Sequence, residues 1–176
     1  CIDAQIPVWK DDSWYWSKEA KDWGWTWAPA DQKYLHPKYV PVFRYAGDII
    51  GCLNNYVDGW IDWNMVLDKQ GGPNWFKNWC IAPVIVDPEN NEVYFTPLYY
   101  TMAHFSKFMR PGAVKIGCTI NHKDLMATAV KNPDGTIALV IFNPTEQLKN
   151  VSIQLNNLSK NISISSKALQ TVIIKS

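Results

Sequence analysis

Residues 57–79, VDGWIDWNMVLDKQGGPNWFKNW, hold the densest set of side chains able to do chemistry in this 176-residue chain. Four indoles, Trp60, Trp63, Trp75 and Trp79, stand among the amides of Asn64, Asn74 and Asn78 and the carboxylates of Asp58 and Asp62. An indole packs against the C–H face of a flat ligand, and an amide both donates to and accepts from hydroxyls. The ligand class that suits this mixture is a sugar. Asp58 and Asp62 are four residues apart on one strand face and could be taken for a catalytic pair of carboxylates. The competing reading, preferred here, gives them structural hydrogen bonds.

The elements around this stretch have to position it. Val57, Gly59, Ile61, Trp63 and Met65 alternate with Asp58, Trp60, Asp62 and Asn64, a period-2 pattern with apolar residues on both faces. That predicts a strand covered on both sides, as in a parallel sheet under helices. Gly71-Gly72-Pro73 cannot continue a strand or a helix, so the chain leaves the sheet in a loop that carries Asn74, Trp75, Asn78 and Trp79. Upstream, Val42, Tyr45, Ala46, Ile49, Ile50 and Leu53 recur at helical spacing, which predicts a helix over 38–56. Gly47 and Gly51 in it suggest close packing against a neighbour. Downstream, 82–87 and 92–95 read as short strands joined by a turn at 88–91. Thr96 and Pro97 then open a second helix, with Thr96 as N-cap, that runs to Met109.

From Ala113 on, only short strands are expected, at 114–120, 125–130, 136–142, 151–155, 162–164 and 168–174. Asn132-Pro133-Asp134-Gly135 forms a hairpin turn between two of them. The expected domains are therefore residues 1–110, mixed α/β, and residues 111–176, a β-sandwich. Residues 1–36, with six further tryptophans, read as a long ordered loop. It is either an aromatic rim over a cleft or a segment held down by its own indoles.

Composition bounds the rest. The chain is 47% hydrophobic and 19% charged with a formal net charge of +1. It has no basic block to suit nucleic acid. It has no apolar run of about 18 residues to form a transmembrane helix. Cys1, Cys52, Cys80 and Cys118 lie far apart without a CxxC pair, so free thiols are expected and a zinc site is not. No metal and no cofactor is expected. The first residues lack both an initiator Met and a signal-peptide pattern, and the chain reads as a piece of a longer one.

Together, GWIDWN at 59–64, GGPNW at 71–75, the spacing on to Asn78, PVIVD at 83–87 and HFSKF at 104–108 resemble family 30 glycoside hydrolases, in their glucosylceramidase-like branch. The resemblance implies the C-terminal part of a (β/α)8 TIM barrel followed by a β-sandwich, with 57–67 as the eighth barrel strand and 97–109 as the last barrel helix. It also implies a sandwich that takes a further strand from before the barrel. Barrel enzymes of this kind build their sites at the C-terminal ends of the strands.

The resemblance implies a retaining β-glycosidase that uses two glutamates. Both would lie upstream of Cys1, so no catalytic residue is assigned in this chain; Glu19, Glu89, Glu92 and Glu146 match neither position. The substrate-binding residues it implies are Trp63 beneath the sugar, Asn78 lining the sugar pocket, Trp79 and Cys80 beside it, and Cys1 on the pocket floor. Each has a plainer alternative: a core indole for Trp63, turn chemistry for Asn78. With Trp63 turned to the barrel axis, Asp62 points away from it. His104 is expected to be a buried, hydrogen-bonded histidine.

The partners implied are a β-glucoside, β-glucan or glucosylceramide substrate and the upstream part of the same barrel. The localisation stays unknown, with secreted, periplasmic and lysosome-like compartments all compatible. A non-catalytic carbohydrate-binding module using its Trp-rich loops is the alternative function. The sequons at Asn150, Asn157 and Asn161 permit glycosylation in a secretory compartment, or simply mark polar strand ends.

Overall fold

A computed structural model of the chain describes residues 40–73 and 82–175. Two helices and nine strands are formed by these residues: α1 (Val40–Asn54), β1 (Val66–Asp68), β2 (Val84–Asp87), β3 (Glu92–Phe95), α2 (Pro97–Ser106), β4 (Val114–Ile116), β5 (Met126–Lys131), β6 (Ile137–Asn143), β7 (Lys149–Leu155), β8 (Leu158–Ile164) and β9 (Ala168–Ile174). They divide into two compact units, one holding 40–45 and 59–102 and the other 46–58 and 103–175. The division falls inside both helices. This is the architecture of a partial barrel with a β-sandwich, as the resemblance implied.

In the first unit, β1 pairs in parallel with β2, and β2 pairs antiparallel with β3. Leu67, Ala82 and Ile85 form a small core, with Tyr94 packed against it. The turn between β2 and β3 sets Asn91 at φ 53°, a left-handed conformation that asparagine tolerates. The expected strand over 57–67 is shorter than its pattern: only Val66–Asp68 joins a sheet. A strand needs a ladder partner, and just before β1 one such bond is made, from the Val84 N–H to the Met65 carbonyl. Thr96 is also corrected. Its hydroxyl donates to the Ala82 and Pro83 carbonyls, each at 3.0 Å, and does not cap α2.

The second unit stacks a four-stranded sheet, in the order β4-β5-β6-β9, against the β7-β8 hairpin. The central strands β5 and β6 are buried on both faces, whereas β7 alternates between half-buried inward and exposed outward residues. Ala127, Ala129, Leu139, Ile141 and Ile164 are buried between the layers, and Val151, Ile153 and Ile162 pack on them. A cavity of about 180 Å³, lined in part by Cys118, Ile120 and Leu155, also opens between the two layers. The second layer counts two strands among the described residues.

The last nine residues of α1 belong to this unit. The Asn54 side chain donates to the Ala127 carbonyl of β5 at 2.9 Å. A Cβ added at Gly47 would sit 3.7 Å from the Met126 sulfur, an ordinary contact, and one at Gly51 would meet nothing. Neither glycine marks the close approach its spacing suggested. The helix ends with Tyr56 at φ 61°, the Tyr56 N–H on the Leu53 carbonyl and the Val57 N–H on the Cys52 carbonyl. That is a Schellman ending, with tyrosine where glycine is usual.

Buried asparagines fasten the sandwich ends. Asn143 is fully buried at the end of β6. Its amide donates to the Gln147 and Ser165 carbonyls at 2.8 Å, and its oxygen accepts from the Thr145 hydroxyl at 2.7 Å. Asn132, in the expected hairpin turn, accepts from the Arg110 N–H at 3.0 Å and donates to the Phe108 carbonyl at 2.9 Å. Thr128, also fully buried, has a hydroxyl with no hydrogen-bond partner among the described residues. An unpaired buried polar group costs about 1–3 kcal/mol, and so does the loss of one partner of a satisfied pair. Opposite outcomes are therefore expected for two single substitutions followed by urea unfolding. Asn143→Ala should lower stability by about 1–3 kcal/mol, and Thr128→Val should raise it by about 1 kcal/mol.

Candidate functional site

Helix α1 holds two of the side chains of 60–65. Tyr45 is fully buried on α1. Its hydroxyl lies 2.8 Å from each carboxylate oxygen of Asp62, and its ring meets the Trp60 ring edge-on at 5.3 Å. Asp62 also accepts from the Trp63 N–H at 2.8 Å. Trp60 and Asp62 meet Tyr45 and are partly buried, whereas Ile61, Trp63 and Met65 are 76%, 71% and 65% exposed within this chain.

Asp62 is an acceptor for Tyr45, as the structural reading of that carboxylate expected. The part played by Tyr45 was not read from the sequence. A tyrosine on the apolar stripe of a helix was a signal for it, because a buried hydroxyl needs a partner.

The loop after β1 is launched by Asp68. Its carboxylate accepts from the Gln70 and Gly72 N–H groups at 2.9 and 2.8 Å, and the Gly71 N–H closes on its carbonyl at 3.0 Å. Gly71 has φ 96°, a conformation that glycine adopts without a Cβ clash. Asn78, Trp79 and Cys80 on this loop, and Cys1, lie outside the described residues. Of the expected substrate-binding residues, the structure therefore describes Trp63 alone.

Beside the loop, the buried Asp87 carboxylate takes the Lys69 ammonium at 2.7 Å and the Asn90 amide at 2.7 Å. The Asn90 hydrogen bond and then the Lys69 contacts hold it below the ordinary carboxylate range, against an opposing effect of burial. His104 is half-buried, with Nδ1 2.8 Å from the Thr171 hydroxyl, and burial lowers its pKa. The hydrogen bond is as the sequence led one to expect, but the histidine is only partly buried. Cys52 and Cys118 are free thiols. Among the described residues, no group of three or more His, Cys, Asp or Glu could hold a metal, and no helix is long and apolar enough to cross a membrane.

Two outcomes follow from this geometry. Tyr45→Phe removes the hydroxyl from Asp62 and should cost about 1.5–3 kcal/mol, the worth of a hydrogen bond to a charged group, in chemical unfolding. Asp87 has a folded pKa below its unfolded value. Its contribution is complete above the unfolded carboxylate pKa and is lost as pH falls through the folded one. Asp87→Asn should therefore melt lower at neutral pH and show a flatter acid limb in melting temperature against pH.

Comparisons with known proteins agree with this architecture. Residues 28–109 match the model of the glycosyl hydrolase family 30 TIM-barrel domain, and residues 112–172 that of the family 30 β-sandwich domain. A Caenorhabditis elegans protein named putative glucosylceramidase 4 is 38% identical over 138 residues, covering 75% of this chain and 27% of the relative. The Mus musculus lysosomal acid glucosylceramidase is 36% identical over 105 residues, covering 59% of this chain and 20% of the relative. The chain thus spans about a quarter or less of the length of these relatives. The crystal structure of SrfJ from Salmonella typhimurium superposes with a TM-score of 0.78 at 25% identity, over 85% of this chain and 33% of SrfJ. With the barrel and sandwich matches adjoining in family order, this chain belongs to glycosyl hydrolase family 30.

Proposed function

We propose that this chain is the C-terminal part of a retaining β-glycosidase acting on β-glucosides, with glucosylceramide or a β-glucan as substrate. Family membership, carried by the paired barrel and sandwich matches, is the observation that supports this most. In this reading two glutamates upstream of Cys1 do the covalent chemistry. One attacks the anomeric carbon to give a glycosyl-enzyme, and the other protonates the leaving oxygen and then activates water. This chain supplies part of the sugar-binding floor. Trp63 packs on the sugar's C–H face, Asn78 bonds its hydroxyls, and Trp79, Cys80 and Cys1 line the wall.

The division of labour gives two expected results. The purified 176-residue chain should release no glucose from an aryl β-glucoside above background, because nucleophile and acid/base are absent from it. Hydrolysis by that chain, abolished by Asp62→Asn, would overturn the proposal. In the protein completed with its upstream sequence, Trp63→Ala should lower kcat/KM by about 10²-fold, equal to roughly 2.7 kcal/mol. Its melting temperature should stay near wild type, the outcome for a site residue outside the packed core. A large drop in melting temperature instead would make Trp63 a core residue. Comparing glucosylceramide with a soluble β-glucan on the same sample assigns the substrate.

A further inference from the structure

The chain contains three Asn-x-Ser sequons, at Asn150, Asn157 and Asn161, and all three fall on the β7–β8 hairpin. A fourth stretch with the same spacing, Asn143-Pro144-Thr145, has the proline that disqualifies a sequon, and its asparagine is buried. The sequence therefore places acceptor motifs only where the fold is open.

The hairpin register gathers them on one face. Asn150 pairs with Ser163, Ser152 with Asn161 and Gln154 with Ser159, and all six are exposed. The partners on the other face, Val151 and Ile162 among them, turn to the sandwich core. The outward face is thus made of amides and hydroxyls without a single charge. The lysines of the two strands, Lys149 and Lys160, fall at register positions of the other face.

We propose that the outward face of the β7–β8 hairpin is an N-glycosylation surface, with Asn157 and Asn161 as the acceptors. Asn157 lies in the hairpin turn next to Asn156, which has φ 51°, and Asn161 lies at the middle of the outward face. Both are exposed, and neither side chain makes a hydrogen bond among the described residues. Asn150 differs, because its oxygen accepts from the Ser163 hydroxyl at 2.7 Å.

In the transfer, the asparagine Nδ2 attacks the anomeric carbon of an oligosaccharide carried on a lipid pyrophosphate. The bond from that carbon to the pyrophosphate oxygen breaks, the lipid pyrophosphate leaves with the electron pair, and Nδ2 gives up one proton. The oligosaccharide then shields the uncharged face, adding bulk and solubility at the surface. This inference stands apart from the glycosidase reading and needs no activity.

The test is site mapping on protein isolated from its own source. Peptide-N-glycosidase treatment in ¹⁸O-water converts each glycan-bearing asparagine to ¹⁸O-labelled aspartate, and an untreated sample controls for spontaneous deamidation. Label at Asn157 and Asn161 is the expected result. Unlabelled asparagine at both, or label at Asn150 alone, would overturn the proposal. An Asn157→Gln/Asn161→Gln protein made in the same cells should migrate with the enzymatically deglycosylated wild type. Retention of the slower mobility would overturn the assignment of the acceptors.

Discussion

A tyrosine hydroxyl buried on a helix has to find an acceptor, and in this chain it finds the Asp62 carboxylate. The same tyrosine meets the Trp60 ring edge-on, so one buried residue holds two side chains of 60–62 against α1. Asp62 then holds the Trp63 N–H directly.

The sandwich is organised by a different economy. Strand β7 alternates cleanly, β5 and β6 are buried on both faces, and the apolar residues between the layers need no special chemistry. What needs chemistry is the ends, where carbonyls and amides run out of ladder partners. Asn132 and Asn143 answer that, each with both a donor and an acceptor used inside the fold. Asn132 does so within the turn of the β5–β6 hairpin, whose Asn-Pro-Asp-Gly sequence also sets Gly135 at φ 86° and lets Asp134 accept from the Thr136 N–H. One four-residue stretch thereby closes a hairpin and anchors the chain that enters the sandwich at Phe108 and Arg110.

Much of this was legible in the residues. The strand at 168–174 and the turns at 88–91 and 132–135 follow from period-2 alternation and from Gly, Pro, Asn and Asp placement. Helix α1 follows from its apolar stripe, with the ends displaced by two residues. What the pattern could not supply was pairing. Residues 57–65 alternate like a strand, but a sheet requires a partner's backbone, and alternation is silent on partners. Nor could it say where a polar side chain spends its hydrogen bonds. Thr96 resembles an N-cap in sequence, yet the Ala82 and Pro83 carbonyls lie within its reach. In the candidate site, Asp62 as a structural acceptor was legible, whereas Tyr45 as its donor required the structure.

The bond from Asn54 to the Ala127 carbonyl joins residues 73 positions apart. A chain emerging from a ribosome at about 5–20 residues per second would make the asparagine roughly 4–15 s before its partner. Through that interval the far half of α1, with Ile49 and Ile50 on its apolar face, has no β5 to lie against. The second unit is then completed by a piece synthesised well before the rest of it. Its assembly is a waiting problem: early residues must stay unspent until late ones arrive, and synthesis speed becomes one of the quantities that govern the yield of folded protein.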